Sequence, residues 1–122
     1  MAWKFDDTAP LFLQIAERLE DEIFIGLYNE GDQIPSTTEL SVSLKINPAT
    51  VLKGVNLLVD EGFIEKRRGL GMFVSSGAAD RIKEKRKKEF RQSFIAPLIR
   101  EAKALKLSKE ELMRIIGENY EN

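Results

Sequence analysis

The side chains best suited to chemistry in this 122-residue sequence are cations and helix-start residues. Lys66, Arg67 and Arg68 stand together immediately before Gly69-Leu70-Gly71, a set suited to following a phosphate backbone. Ser36 and Asn47 are residue types that cap helices, and a helix start offers N–H groups and partial positive charge to an anion. Thr50 and Lys53 follow Asn47 within the same segment. The acids, by contrast, do not converge. Glu20-Asp21-Glu22 and Asp60-Glu61 are sequence neighbours on helical stretches, so their side chains diverge and read as solvated carboxylates. There is no histidine and no cysteine, which removes the commonest general base, the commonest metal ligand and every disulfide. The phosphate loop Gly-x-x-x-x-Gly-Lys-Ser/Thr does not occur. The expectation is a protein that binds, with no catalytic residues, no metal and no cofactor.

The elements that must position these residues are legible from period and punctuation. Phe12, Ile15, Leu19, Ile23 and Leu27 recur as one helix face, which predicts a helix over about residues 9–27 with Pro10 in its first turn and Thr8 as a candidate cap. Ser36 with Glu39 three residues on forms a capping box, opening a short helix that buries Leu40 and Leu44. Asn47-Pro48 starts a second helix at once, with Val51, Val55 and Leu58 inward and Gly62 as its stop. Two short helices joined so tightly form a helix-turn-helix. The period then changes. Residues 63–67 and 72–74 read as strands of a hairpin whose turn uses Gly69 and Gly71. The fold class is therefore mainly α with a small β-hairpin wing, a winged helix-turn-helix over residues 1–76. Ser75-Ser76-Gly77-Ala78-Ala79 is small and polar and reads as a hinge.

Residues 77–122 are helical again. Phe90, Phe94, Leu98, Ala102 and Leu105 form one stripe with Ile95 and Ile99 beside it, and Pro97 should kink or divide the helix near Ala96. Ser108 and Glu111 make another capping box, opening a last short helix that is expected to bury Leu112, Ile115 and Ile116. Charge is unevenly spread. Residues 1–76 hold twelve acids and seven bases, whereas residues 77–122 hold eight acids and twelve bases. That polarity suggests one basic face on an otherwise acidic body. No apolar run approaches the roughly 18 residues of a membrane span, and the start lacks the pattern of a signal peptide. A cytoplasmic protein without a membrane partner is expected.

Gly31-Asp32-Gln33-Ile34-Pro35-Ser36, Leu40, Leu44, Ile46 through Val51, Gly62, Ile64 and Gly69 through Val74 together resemble the GntR family of bacterial transcriptional regulators. Pro10-Leu11-Phe12-Leu13-Gln14-Ile15 fits as well. Asn47-Pro48 and the short tail are similar to the YtrA subfamily. The resemblance implies a sequence-specific DNA-binding regulator, a repressor in most cases, acting as a homodimer on a palindromic double-stranded operator. It places the first turn of the second helix in the major groove. There Ala49 would touch a thymine methyl, while Thr50 and Lys53 would reach base edges or phosphate. Ser36, Thr37, Thr38 and Asn47 would meet phosphate, and Lys66, Arg67, Arg68, Gly69 and Gly71 would follow the backbone or enter the minor groove. Two departures stand out. The family often has an arginine where this chain has Thr37-Thr38, and Gly54 replaces an alanine, which suggests packing too close for a methyl group.

The tail, residues 77–122, is expected to be a helical dimerisation region. Phe90, Phe94, Leu98, Ile99, Leu105, Leu112, Ile115 and Ile116 are too many large apolar groups for two or three helices to hide alone. So short a tail also argues against a deep pocket for a small-molecule effector. The competing reading is a winged-helix module for protein–protein contact that uses its acidic first helix. The clustering of bases on the hairpin weighs against it.

Overall fold

The computed structural model describes residues 3–122. The chain divides into two compact units, residues 3–84 and 85–122.

The first unit is built on the predicted helices. Helix α1 (Leu11–Phe24) buries Ile15, Ala16, Leu19 and Ile23, the stripe expected from its period. It is shorter than the apolar pattern suggests. Gly26 takes a left-handed φ of 84° and ends the helix, so Leu27 lies in phase with the stripe yet stays exposed. Its start also differs from expectation. Pro10 is the N-cap and no side chain caps it, whereas Thr8 donates to Asp6. Gln14 instead ties the preceding segment to the helix, its amide nitrogen donating to the carbonyls of Asp6 (2.8 Å) and Ala9 (2.7 Å). Before the helix, Trp3 and Phe5 pack edge to face against the core, and the Trp3 indole N–H donates to Glu22 Oε1 at 3.0 Å. Burial raises the Glu22 carboxyl above its ordinary range, although this hydrogen bond pulls the other way.

Helix α2 (Thr37–Leu44) opens on the complete Ser36–Glu39 capping box, and helix α3 (Pro48–Asp60) on Asn47 with Pro48 in the first position. Strands β2 (Ile64–Arg67) and β3 (Gly71–Val74) form the expected hairpin, with Arg67 opposite Gly71. A third strand was not anticipated. β1 (Gln33–Ile34) pairs antiparallel with β3 on its other edge, giving the order β1-β3-β2. Ile34, Ile64, Met72 and Val74 of the sheet, with Phe63 just before β2, join the buried residues of α1 and α3 in one core.

Helix α4 (Ala78–Phe90) corrects the expected boundary after residue 76. Ala78 and Ile82 are wholly buried in the core of the first unit. Ser75-Ser76-Gly77 is tied down rather than loose. The Gly77 N–H donates to Glu30 Oε1 at 2.7 Å, and the Arg81 guanidinium forks to the carbonyls of Ser76 (2.7 Å) and Gly62.

Within the second unit, Pro97 acts as expected. One turn of π-helix at Arg91–Ile95 separates α4 from α5 (Ala96–Ala104), and the Ala96 N–H reaches back to the Arg91 carbonyl. Proline has no N–H to continue the normal ladder, and the wider turn relieves its clash. Helix α6 (Lys109–Tyr120) opens on the Ser108–Glu111 box. Its expected burial does not occur within the chain. Leu112 is half-buried while Ile115 and Ile116 are exposed, as are Phe90, Phe94, Leu98, Ile99 and Leu105.

Candidate nucleic-acid interface

The turn between α2 and α3 is closed by local bonds. Lys45 adopts a left-handed φ of 57°, and the Ser41 hydroxyl donates to the Ile46 carbonyl at 2.6 Å. Ser41 was not singled out from the sequence, because a serine inside a helix carries no signal of a long-range role.

The two helix starts are not equivalent. At α2 the Ser36 hydroxyl takes the Glu39 N–H (3.0 Å), which leaves the N–H groups of Thr37 and Thr38 at the helix start without an intrahelical partner. Those are the groups a phosphate would use. At α3 the supply is nearly exhausted. Pro48 has no N–H, the Ala49 N–H donates to Asn47 Oδ1 at 2.8 Å, and the Thr50 N–H donates to the Asn47 carbonyl at 3.0 Å. The backbone N–H groups left for an anion therefore concentrate at α2, and the first turn of α3 presents mainly side chains.

Along α3, Val51, Gly54, Val55 and Leu58 face inward. Gly54 sits so close to α1 that an added Cβ would fall 2.7 Å from the Phe12 carbonyl oxygen, the close packing its presence suggested. The outward side carries Ala49, Leu52 and Lys53, all exposed, with Asn56 half-buried. Thr50 is half-buried at the edge of that side. The Lys53 ammonium lies 4.0 Å from the centre of the Phe12 ring, a cation–π contact that holds it towards α1.

The wing presents its cations in three different states. Lys66 donates to Asn56 Oδ1 at 2.6 Å, tying the hairpin to α3. Arg67 donates to Glu65 Oε1 through Nε (3.0 Å) and Nη2 (2.6 Å) while its guanidinium lies over the Phe73 ring. Arg68 is exposed at the turn. Gly69 (φ 75°) and Gly71 (φ 124°) take conformations an L side chain resists, and Gln33 Nε2 donates to the Leu70 carbonyl at 3.0 Å. The structure thus brings Ser36, Thr37, Thr38, Lys66, Arg67, Gly69 and Gly71 round one groove, and Ala49 and Lys53 round a neighbouring hollow on α3. Leu52 belongs to both. It was missed in the sequence, although its phase on α3, off the inward stripe, was there to be read.

Residues 11–74 match the family of bacterial regulatory proteins described as gntR. The chain belongs to the GntR family. Over 116 residues it is 33% identical to the uncharacterised helix-turn-helix transcriptional regulator YhcF of Bacillus subtilis, covering 90% of this chain and 89% of that one. It is 35% identical over 71 residues to the transcriptional repressor YtrA of the same organism, covering 58% of this chain and 55% of that one. A GntR-family transcriptional regulator of Bacteroides thetaiotaomicron superposes with a TM-score of 0.78 at 33% identity, covering 91% and 96% of the two chains. This GntR protein is accordingly a DNA-binding transcriptional regulator and not an enzyme. No helix among its described residues is long and apolar enough to cross a membrane.

Proposed function

We propose that this GntR protein is a cytoplasmic repressor that binds as a homodimer to an operator of two-fold symmetry, one winged helix per half-site. The observation that carries the dimer is the apolar surface of residues 85–122. Phe90 is 53% exposed and Phe94 66% exposed, and Leu98, Ile99, Leu105, Ile115 and Ile116 are exposed with them. So much uncovered apolar area is the mark of a protein interface. A second copy supplies the same surface, and two-fold symmetry in the protein asks for it in the DNA. Repression is supported by the resemblance to YtrA, itself named a repressor. On the DNA side, the α2 start and the wing hold phosphate while the outward side of α3 meets the bases.

Selection of duplexes from a random pool by the full chain tests the reading. The expected product is an inverted repeat with half-sites about one helical turn apart. Enrichment of a single unrepeated half-site would overturn the symmetric dimer. The wing has a separate test. Replacing Arg67 and Arg68 by Ala should weaken binding to all sequences alike and flatten the salt dependence, by up to about 0.9 in log–log slope for each lost phosphate contact. An unchanged slope in anisotropy titrations would show that the hairpin points away from DNA.

A further inference from the structure

Leu52 lies on the outward side of α3, about 100° round the helix from the buried Val51, and is 40% exposed. It is not one of the enclosed residues of the core. It stands where the two hollows of the DNA face meet, with Thr37, Thr38, Lys66 and Arg67 on one side and Ala49 and Asn56 on the other.

Its neighbours narrow what it does. Lys53 is held on Phe12, Lys66 on Asn56 and Arg67 on Glu65, so these three cations already have partners. Leu52 has none to give up. Ala49 precedes it by three residues and is exposed on the same side, which extends a short apolar strip along the helix. In the major groove the one apolar feature on a base edge is the C5-methyl of thymine. We propose that Leu52, with Ala49 beside it, is a specificity-determining residue that reads thymine methyl groups in the operator. The proposal rests on α3 being the element that meets the bases. It predicts a thymine within each half-site whose methyl group, rather than its hydrogen-bonding edge, is recognised.

The test uses the full chain and the selected operator, with each thymine of a half-site replaced in turn by deoxyuridine, which removes only the methyl group. One or two replacements should weaken binding by about threefold to tenfold, the effect of one methyl leaving an apolar contact. Leu52→Ala should bind the unmodified operator more weakly and lose most of its sensitivity to at least one of those replacements. Leu52→Met, which keeps an apolar contact, should remain sensitive to them. Since Leu52 is partly covered, Leu52→Met should melt at the temperature of the parent chain and Leu52→Ala only a few degrees below it, both folded throughout the titrations. If every replacement is without effect on the parent chain, or if Leu52→Ala responds as the parent does, the proposal is overturned while the symmetric operator stands. Failure to select any sequence would overturn base reading by α3 and this proposal together.

Discussion

Ile82 and Phe94 stand on neighbouring stretches of helix, yet the first is wholly enclosed and the second is two-thirds exposed. The contrast holds for the units around them. In residues 3–84 the large inward side chains of α1, α2, α3 and the sheet cover one another, and the exposed apolar groups include Leu52 and Leu70 at the proposed DNA face. In residues 85–122 the one buried apolar side chain is Ala102, and the aromatic and branched groups lie open. The first unit resembles a finished core. The second resembles half of one, and that difference locates the work of each. On the proposed reading, one unit presents a fixed surface to DNA by itself, whereas the other becomes a core when a second copy covers it.

The contrast breaks most directly at Phe90 and Phe94, whose rings lie 5.9 Å apart. Glu at both positions should abolish association, raising the dimer dissociation constant by more than about a thousandfold, because charges would be buried in an apolar contact. The variant should still melt with the first unit intact. Sedimentation equilibrium decides the matter. A parent chain that stays monomeric at tens of micromolar would show that the open surface does not join two copies.

Next in size is the edge of the first unit. A chain ending at Glu84 should be folded, monomeric and a weak DNA binder, since two linked half-site contacts are lost without disturbing either one. Ending it at Gly77 should leave the core unsealed, because Ala78 and Ile82 go with the tail. In the full chain, Ile82→Ala tests the same closure and should cost about 2–5 kcal/mol in urea denaturation of the first unit. A stable, cooperative fold in the shorter chain would place Ile82 outside the structural unit after all.

That edge also shows where sequence reading stopped. Caps, stops and breaks were legible because each is a local agreement of residue type with backbone need. Ser36 with Glu39, Asn47 before Pro48, Gly62 at a φ of 80° and Pro97 after a π turn are all of this kind. Ser75-Ser76-Gly77 has the composition of a linker, but its fixity comes from Glu30 and from the fork of Arg81. Those contacts are tertiary, and no local pattern announces them. β1 failed for another reason, since two residues are too few to show alternation. At the DNA face the cations could be named from sequence, but their present partners could not. Phe12 beneath Lys53 and Asn56 beside Lys66 depend on how α1 and the wing lie against α3.

The smallest expected effect concerns that same meeting of α1 and α3. By helix propensity alone, Gly54→Ala should stabilise α3 by about 1 kcal/mol. Geometry opposes it. The new methyl group would lie 2.7 Å from the Phe12 carbonyl oxygen and 3.2 Å from Cβ and Cγ2 of Ile15. The oxygen belongs to helix backbone and the Ile15 side chain is fully enclosed, so relief requires α1 and α3 to move apart. Overpacking of this kind typically costs about 1–3 kcal/mol, which outweighs the propensity gain and leaves a net loss of roughly 1 kcal/mol. The movement would also draw the Phe12 ring from beneath Lys53, so DNA affinity should change in the same variant even though residue 54 faces inward. Urea denaturation together with operator titration measures both. A more stable protein with unaltered binding would mean that the two helices yield without cost, and that the first unit is less tightly finished than its enclosed side chains imply.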